Sequence, residues 1–378
     1  MTTVINYLTR VVFGQGAITG LSGELQQLGS TAPLVITDRG VCDAGLVSDA
    51  LHAGGLPADL PVFKETPENP TEAAVEQALN FYRQHRCDGI IALGGGSSID
   101  LAKGVSLLAT HEPPLRQYAV IDGGATRISP DMVPLVAIPT TAGTGSEVGR
   151  ASLITMHDGR KLGFLSPYLI PSVAVCDPEL TRSLPRMLTA GTGMDAIAHC
   201  VETYLSPRDN PPAEAIALDG LQRASGSLPA AVSDGSNMKA RAEMMMAALE
   251  GALAFQKGLG AVHSISHALG GMEGMKLHHG TLNAVLLPPV LRFNQPYCDQ
   301  KFVRIRGAMG LAPGADVAKA FDQLNADLGM PRTLTEMGVE KSVLDRAAEW
   351  AYEDHSTASN PRPAQRADFR QIMLEVLD

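Results

Sequence analysis

Asp195 and His199 stand four residues apart in Gly193-Met194-Asp195-Ala196-Ile197-Ala198-His199, and His263 and His267 repeat that spacing in Ala261-Val262-His263-Ser264-Ile265-Ser266-His267. On a helix, side chains at i and i+4 share a face, so each segment offers two donors on one side. Leu277-His278-His279-Gly280 adds two imidazoles beside a turn glycine, and five of the ten histidines fall in these three segments. Imidazole and carboxylate together suit a divalent first-row cation such as Fe²⁺ or Zn²⁺. A single histidine is ordinarily a satisfied core or surface group. Here, however, Ala, Met, Ile, Leu and Gly surround the set, and several buried imidazoles are costly without a shared partner. The five cysteines form no Cys-x-x-Cys pair, which disfavours a structural zinc site and favours a cation with a coordination position open to substrate.

Two further segments suit a phosphate-bearing ligand. Leu93-Gly94-Gly95-Gly96-Ser97-Ser98-Ile99-Asp100-Leu101-Ala102-Lys103 follows an apolar run and opens a helical pattern. Glycines let backbone N–H groups approach an anion, and a helix N-terminus adds positive potential. Ser97 and Ser98 are read as caps of that helix or as donors to phosphate oxygens. The spacing is not Gly-x-Gly-x-x-Gly, and Gly14-Gln15-Gly16 near the start is too weak a signal to use. Ile138-Pro139-Thr140-Thr141-Ala142-Gly143-Thr144-Gly145-Ser146-Glu147 is a second polar, glycine-rich loop. Its hydroxyls (Thr140, Thr141, Thr144, Ser146) and free N–H groups suit ribose, pyrophosphate or a nicotinamide amide. Asp38 closes an earlier apolar run, where an acid accepts from a ribose 2′-hydroxyl and repels a 2′-phosphate. That position favours NAD over NADP; the plain alternative is an N-cap or turn aspartate.

These residues need elements to hold them. Leu34–Asp38, Gly89–Leu93 and Leu135–Ile138 read as short buried strands alternating with helical patterns, one of them from about Ile99. Such alternation predicts an α/β domain with a parallel, Rossmann-like sheet covered on both faces, and ligands at the carboxyl ends of its strands. From about Leu184 the pattern turns helical, over Leu188–Tyr204, Ala213–Leu228, Met238–Phe255, Ala261–Gly271, Ala315–Leu328 and Val343–Tyr352. The expected division is residues 1–183 as a dinucleotide-binding α/β domain and 184–378 as an all-helical domain for metal and substrate. Asp209-Asn210-Pro211-Pro212 is expected to be an exposed turn.

A chain of 378 residues with 45% hydrophobic and 19% charged residues suits two globular domains with sizeable cores. The net charge of −10 argues against nucleic-acid or anionic-membrane partners. No apolar stretch approaches the roughly 18 residues of a membrane span. The opening Met-Thr-Thr-Val-Ile-Asn-Tyr lacks a basic, then apolar, leader, and dispersed cysteines read as free thiols of a reducing compartment, so a cytoplasmic location is expected.

At these residues the chain resembles the iron-containing (group III) alcohol dehydrogenase family, over nearly its whole length. The glycine loop with Asp100 and Lys103, the Pro139–Glu147 loop, Asp195-Ala196 with His199 and Glu202, His263–Gly271 followed by His279-Gly280, and Asn360-Pro361-Arg362 each resemble a family motif. The resemblance implies a dehydroquinate synthase-like architecture with metal and substrate in the cleft between the domains. It implies Asp195, His199, His263 and His279 as metal ligands, with Fe²⁺ or Zn²⁺ as the ion and His267 beside them as a non-ligand. It implies that Asp38, both loops and Lys161 hold NAD, and that the enzyme is a homodimer or larger. Two departures stand out. The His267-to-His279 stretch is longer than the usual pattern, so His278 remains an alternative to His279. Ser356-Thr357 stands where Cys-Thr is expected.

The implied reaction is hydride transfer between nicotinamide C4 and a metal-bound small alcohol or aldehyde. Three neutral imidazoles and one carboxylate leave a divalent site with a charge of about +1, which favours the ionised alcohol oxygen. His267 is the expected proton relay. Arg150, Phe164, Phe255 and His355 are named for the substrate pocket. Competing readings on the same fold are sugar-phosphate cyclase, glycerol dehydrogenase, maleylacetate reductase and hydroxyacid–oxoacid transhydrogenase chemistry; outside enzymes, the rival is a non-catalytic metal- or nucleotide-binding protein.

Overall fold

The computed structural model describes residues 9–272 and 274–378; the opening residues Met1–Tyr7, read above for a leader, lie outside them. The chain divides into two compact units. One holds residues 9–141 and Gly145–Leu184, the other Ala142–Thr144 and Pro185–Asp378.

The first unit runs β1 (Arg10–Phe13), α1 (Leu21–Gln27), β2 (Pro33–Ile36), α2 (Arg39–Asp43), α3 (Leu46–Ala53), β3 (Val62–Phe63), α4 (Glu72–Gln84), β4 (Gly89–Gly94), α5 (Gly96–Thr110), β5 (Leu135–Pro139), β6 (Ala151–Thr155), β7 (Lys161–Leu165) and β8 (Val173–Cys176). Six strands form one parallel sheet in the order β1-β8-β5-β4-β2-β3. Every residue of β2, β4, β5 and β8 is buried, as expected of parallel strands covered on both faces. Leu34, Ile36, Ile90, Ala92, Leu135 and Ala137 face Ala74 and Val75 of α4 and Ile99 and Leu101 of α5. Val35, Ile91, Leu93, Val136 and Ile138 face Leu21, Val41, Val47 and Leu51 of α1–α3. Both covered faces of the expected sheet are therefore present. The strand order reverses between β2 and β4, so their carboxyl ends form the switch point at which such sheets take ligands.

β6 and β7 pair separately as an antiparallel hairpin. Their burial alternates along each strand, and Asp158-Gly159 turns between them with Gly159 at φ 83°. Phe164, named above for a substrate pocket, is fully buried in this unit's core, so it packs rather than selects.

The second unit is helical among the described residues: α6 (Arg186–Leu205), α7 (Pro211–Ser233), α8 (Met238–Ala254), α9 (Ala261–Gly270), α10 (His279–Ala308), α11 (Val317–Leu328), α12 (Leu344–Glu353) and α13 (Arg366–Glu375). α6 is buried on every side from Thr189 to Leu205, the signature of a central core helix. α10 has no counterpart among the helices expected from sequence. It contains Pro288, Pro289 and Pro296 and bends at Cys298 (φ −146°, ψ 30°). Proline removes a helix hydrogen bond and kinks the chain, which hides such a helix from pattern reading. Asp209, Pro211 and Pro212 are exposed as expected, but Asn210 is buried and the segment starts a helix: Asn210 Oδ1 accepts from Ala213 N as the N-cap of α7, with prolines filling the first turn. Proline there forfeits only an N–H that lacks a helical partner anyway. No described helix is long and apolar enough to cross a membrane.

Candidate metal centre and nucleotide loop

In the helical unit, α6 carries Asp195 and His199, α9 carries His263, and His279 is the first residue of α10. The three imidazole Nε2 atoms lie 3.7 Å (His199), 3.5 Å (His263) and 3.6 Å (His279) from Asp195 Oδ1. Ligand bonds of about 2.1 Å in a tetrahedral shell place neighbouring donors about 3.4 Å apart, so the spacing fits a first-row cation. Asn283, four residues after His279, points its amide into the same space. Its Nδ2 donates to Asp195 Oδ1 at 2.7 Å and lies 3.3 Å from His263 Nε2 and 3.2 Å from His279 Nε2. Lone pairs thus converge on one electropositive group, and the donor set fits a divalent metal. His278 faces differently: it is the N-cap of α10, its Nδ1 accepting from Thr281 N at 3.2 Å.

The charges follow from crowding one carboxylate with three imidazoles. Burial raises the Asp195 carboxyl, but His199, His279 and His263 overcome it and hold Asp195 well below the usual range. Burial drives His199 down to about 4, so it stays neutral. His263 is opposed by burial but raised to about 9 by hydrogen bonds to Asp195 and Glu202.

Around this set, Glu202 and Asp354 act on the histidines directly. Glu202 Oε2 accepts from His263 Nδ1 at 2.7 Å, and its Oε1 accepts from Val262 N at 2.7 Å. His267 Nδ1 meets Asp354 Oδ2 at 3.0 Å, and its ring stacks on His279 and on His355 with centroids 5.4 and 5.7 Å apart. Burial lowers the His267 pKa against the pull of Asp354. Phe255 lies with its ring 5.3 Å from that of His199. Asn360 Oδ1 accepts from Ala261 N at 3.1 Å, fixing the start of α9. Thr357 Oγ1 lies 2.8 Å from Ser264 Oγ, also on α9. Sequence reading named neither Asn283 nor Asp354. Asn283 had a usable signal, because it lies at i+4 from His279.

In the sheet unit, β4 runs into α5 through Gly94 and Gly95. A Cβ on Gly94 would lie 2.5 Å from Ser98 Oγ, so only glycine permits the turn. Gly95 is the N-cap and supplies no side chain, leaving the first N–H groups of α5 for an anion. The serines do not cap: Ser97 Oγ donates to the Glu68 carbonyl, and Ser98 Oγ lies 3.5 Å from Asp38 Oδ2. The cap position falls earlier because the helix starts at Gly96 rather than near Ile99. Asp38 caps α2, its Oδ1 accepting from Val41 N at 2.9 Å. Asp38, Gly94, Gly95, Gly96, Ser97 and Ser98 thus meet at the carboxyl ends of β2 and β4.

The second loop is tied to the first. Thr140 N donates to the Gly94 carbonyl at 3.0 Å, and a Cβ on Gly95 would meet Thr141. Asp100 is turned inward, its carboxylate accepting from Ser146 Oγ (2.6 Å) and Leu153 N (2.9 Å). Lys103 Nζ donates to Ser146 Oγ and to the carbonyls of Gly149 and Ala151. Asp100 and Lys103 therefore brace the loop from behind. Lys161 begins β7 and donates to Asn69 Oδ1 at 3.0 Å. Thr144 is half-buried in the bend at Ala142–Thr144, which groups with the helical unit.

Comparison with known proteins converges on one family. Residues 9–178 match the family model described as iron-containing alcohol dehydrogenase. Residues 189–377 match the C-terminal model of the Fe-containing alcohol dehydrogenase family. The chain is 51% identical over 377 residues to a 4-hydroxybutyrate dehydrogenase of Cupriavidus necator, covering 98% of each. It is 34% identical over 379 residues to an NAD-dependent methanol dehydrogenase of Bacillus methanolicus, covering 97% of each. A crystal structure of 1,3-propanediol oxidoreductase superposes with a TM-score of 0.92 at 36% identity, covering 99% of this chain and all of that one.

Proposed function

Since this chain belongs to the iron-containing alcohol dehydrogenase family, and is an NAD-dependent oxidoreductase acting on CH–OH groups with an iron-type metal, we propose that it oxidises 4-hydroxybutyrate and closely related short hydroxy acids to their aldehydes, and reduces those aldehydes. The substrate assignment draws on the relative at 51% identity over 98% of both chains. The observation that carries the site is the convergence of His199, His263 and His279 on Asp195 at 3.5–3.7 Å. These four residues hold the divalent cation, Fe²⁺ or Zn²⁺, and His279 rather than His278 completes the set.

When bound, the metal supplies Lewis acidity, which favours the ionised alcohol oxygen and polarises an aldehyde carbonyl. The chain's own residues do the rest. Gly94, Gly95, Gly96, Ser97 and Ser98 bind the pyrophosphate of NAD, and Asp38 takes a ribose hydroxyl. Thr140, Thr141 and Thr144 line the second wall, which Asp100, Ser146 and Lys161 brace. His267 takes up the alcohol proton at its ring, and Asp354 orients it. Residues 1–183 serve the nucleotide and 184–378 serve metal and substrate. The enzyme works as a homodimer or larger assembly in the cytoplasm, a location supported by its five free thiols.

The test is NADH formation by anaerobically purified, iron- or zinc-loaded protein supplied with 4-hydroxybutyrate, 1,3-propanediol, methanol and butanol. The highest kcat/KM is expected with 4-hydroxybutyrate. A higher value with an uncharged alcohol refutes the substrate assignment, and full activity of Asp195→Ala refutes the metal site.

A further inference from the structure

We propose that Glu202 is a positioning residue that fixes His263 in the one tautomer able to bind metal; this rests on the ligand set proposed above. Glu202 lies on α6 seven residues after Asp195 and three after His199, so all three occupy one stripe of that helix. The side chain is 3% exposed. Its two oxygens are both spent as acceptors: Oε1 takes Val262 N–H at 2.7 Å, while Oε2 takes His263 Nδ1 at 2.7 Å and His263 N–H at 3.4 Å. A carboxylate at Nδ1 demands a proton there. The neutral ring then presents Nε2 as a bare lone pair, and Nε2 is the atom aimed at Asp195.

The acceptor count makes this testable with an isosteric change. In Glu202→Gln one oxygen becomes an NH₂ donor. Placed toward Val262, it faces an N–H that is already a donor. Placed toward His263, it demands an unprotonated Nδ1, moves the ring proton to Nε2 and blocks the ligand atom. Neither orientation keeps all the bonds, although shape and volume are unchanged.

The experiment measures zinc affinity of the metal-stripped full-length chain by competition with a chromogenic chelator, with far-UV circular dichroism as the check on folding. Glu202→Gln is expected to bind zinc about 10–100-fold more weakly than wild type with unchanged ellipticity. A purely structural role, stapling the start of α9, lowers the melting temperature but leaves the affinity of the folded protein unmoved; equal affinities overturn the proposal. Should Glu202→Gln not fold, ¹⁵N-histidine spectra of the metal-stripped wild type, taken above about pH 9 where the His263 ring is neutral, decide it. His263 protonated at Nδ1 supports the proposal, and a neutral Nε2–H ring overturns it. Failure of wild type itself to bind zinc or iron refutes the ligand set above, not the role of Glu202.

Discussion

Gly280→Ala puts the packing behind the metal centre to a direct test. The glycine is the second residue of α10, directly after His279, and a Cβ there would lie 2.1 Å from the Gly191 carbonyl oxygen and 3.2 Å from Asp195 Cβ. Both obstacles belong to α6, and the nearer one is backbone, which cannot swing aside. Restoring an ordinary contact of about 3.5 Å from 2.1 Å requires the two helices to part by about 1.4 Å. Metal sites tolerate about 0.2 Å in ligand distances, so His279 is drawn off Asp195 and one ligand is lost. Two energies oppose each other in stability. Alanine gains about 1 kcal/mol over glycine in helix propensity, whereas forcing a methyl into a packed contact costs about 1–3 kcal/mol; with backbone as the obstacle, the upper end applies and the variant is destabilised. Gly226 of α7 is the control, because a Cβ there meets nothing within 4 Å; Gly226→Ala is expected to raise the melting temperature. The assay is calorimetric melting together with metal content after desalting. Gly280→Ala melting at or above wild type with a full metal equivalent refutes the reasoning.

The remaining predictions use the same machinery. His279→Ala is expected to purify without metal, whereas His278→Ala keeps its metal and loses the α10 cap, at about 1 kcal/mol of stability; elemental analysis of both variants separates the two roles. Burial lifts Glu147 from 4.5 to about 7. An acid whose folded pKa is raised contributes stability below its unfolded pKa that is lost as pH climbs through the window to the folded value. Glu147→Gln should therefore melt progressively higher than wild type as pH rises from about 5 to 7, and a constant difference across that window counts against the assignment. Asp38→Ala removes the charge that repels a 2′-phosphate, so the NADP-to-NAD ratio of kcat/KM should rise about tenfold, equivalent to about 1.4 kcal/mol. An unchanged ratio places the ribose elsewhere.

Two kinds of signal separate what could be read in the sequence from what could not. Asp195/His199 and His263/His267 were legible because i,i+4 spacing is local and survives any packing of the helices that carry it. Leu34–Asp38, Gly89–Leu93 and Leu135–Ile138 were legible because buried parallel strands are unbroken apolar runs. The other strands of the main sheet are short: Arg10–Phe13 has a charged first residue, Val62–Phe63 has two residues, and Val173–Cys176 has four. The hairpin of β6 and β7 was not named from sequence, although its strands alternate in burial about Asp158-Gly159. α10 was obscured by Pro288, Pro289 and Pro296, whose intrinsic penalty is overridden by burial of most of the helix's first half. Asp354 reaches His267 across 87 residues, and no local pattern records such a contact. His279 was already preferred over His278 in the sequence; what the sequence did not carry is the cap role of His278, which follows from the helix start at His279.

Glu202 also changes the charge count at the centre. Asp195 with three neutral imidazoles leaves a divalent cation at about +1, the figure obtained by counting ligands alone. Glu202, hydrogen-bonded to a ligand ring at 2.7 Å, brings the buried assembly to about zero. Such neutrality favours holding the cation where stray charge is expensive to bury, and it moderates the cation's pull on an alcohol proton. A buried helix bearing two carboxylates and an imidazole on one stripe is costly without a positive partner. Its far end is secured independently: Lys257 and Lys301 donate to the carbonyls of Tyr204 and Ser206, where α6 terminates, and both pair with Glu214. On the proposed ligand set, the polar stripe of α6 is half of an ion pair whose other half is the metal. The periodicity 195, 199, 202 was readable from the start; its meaning depended on learning which side chain His263 leans against.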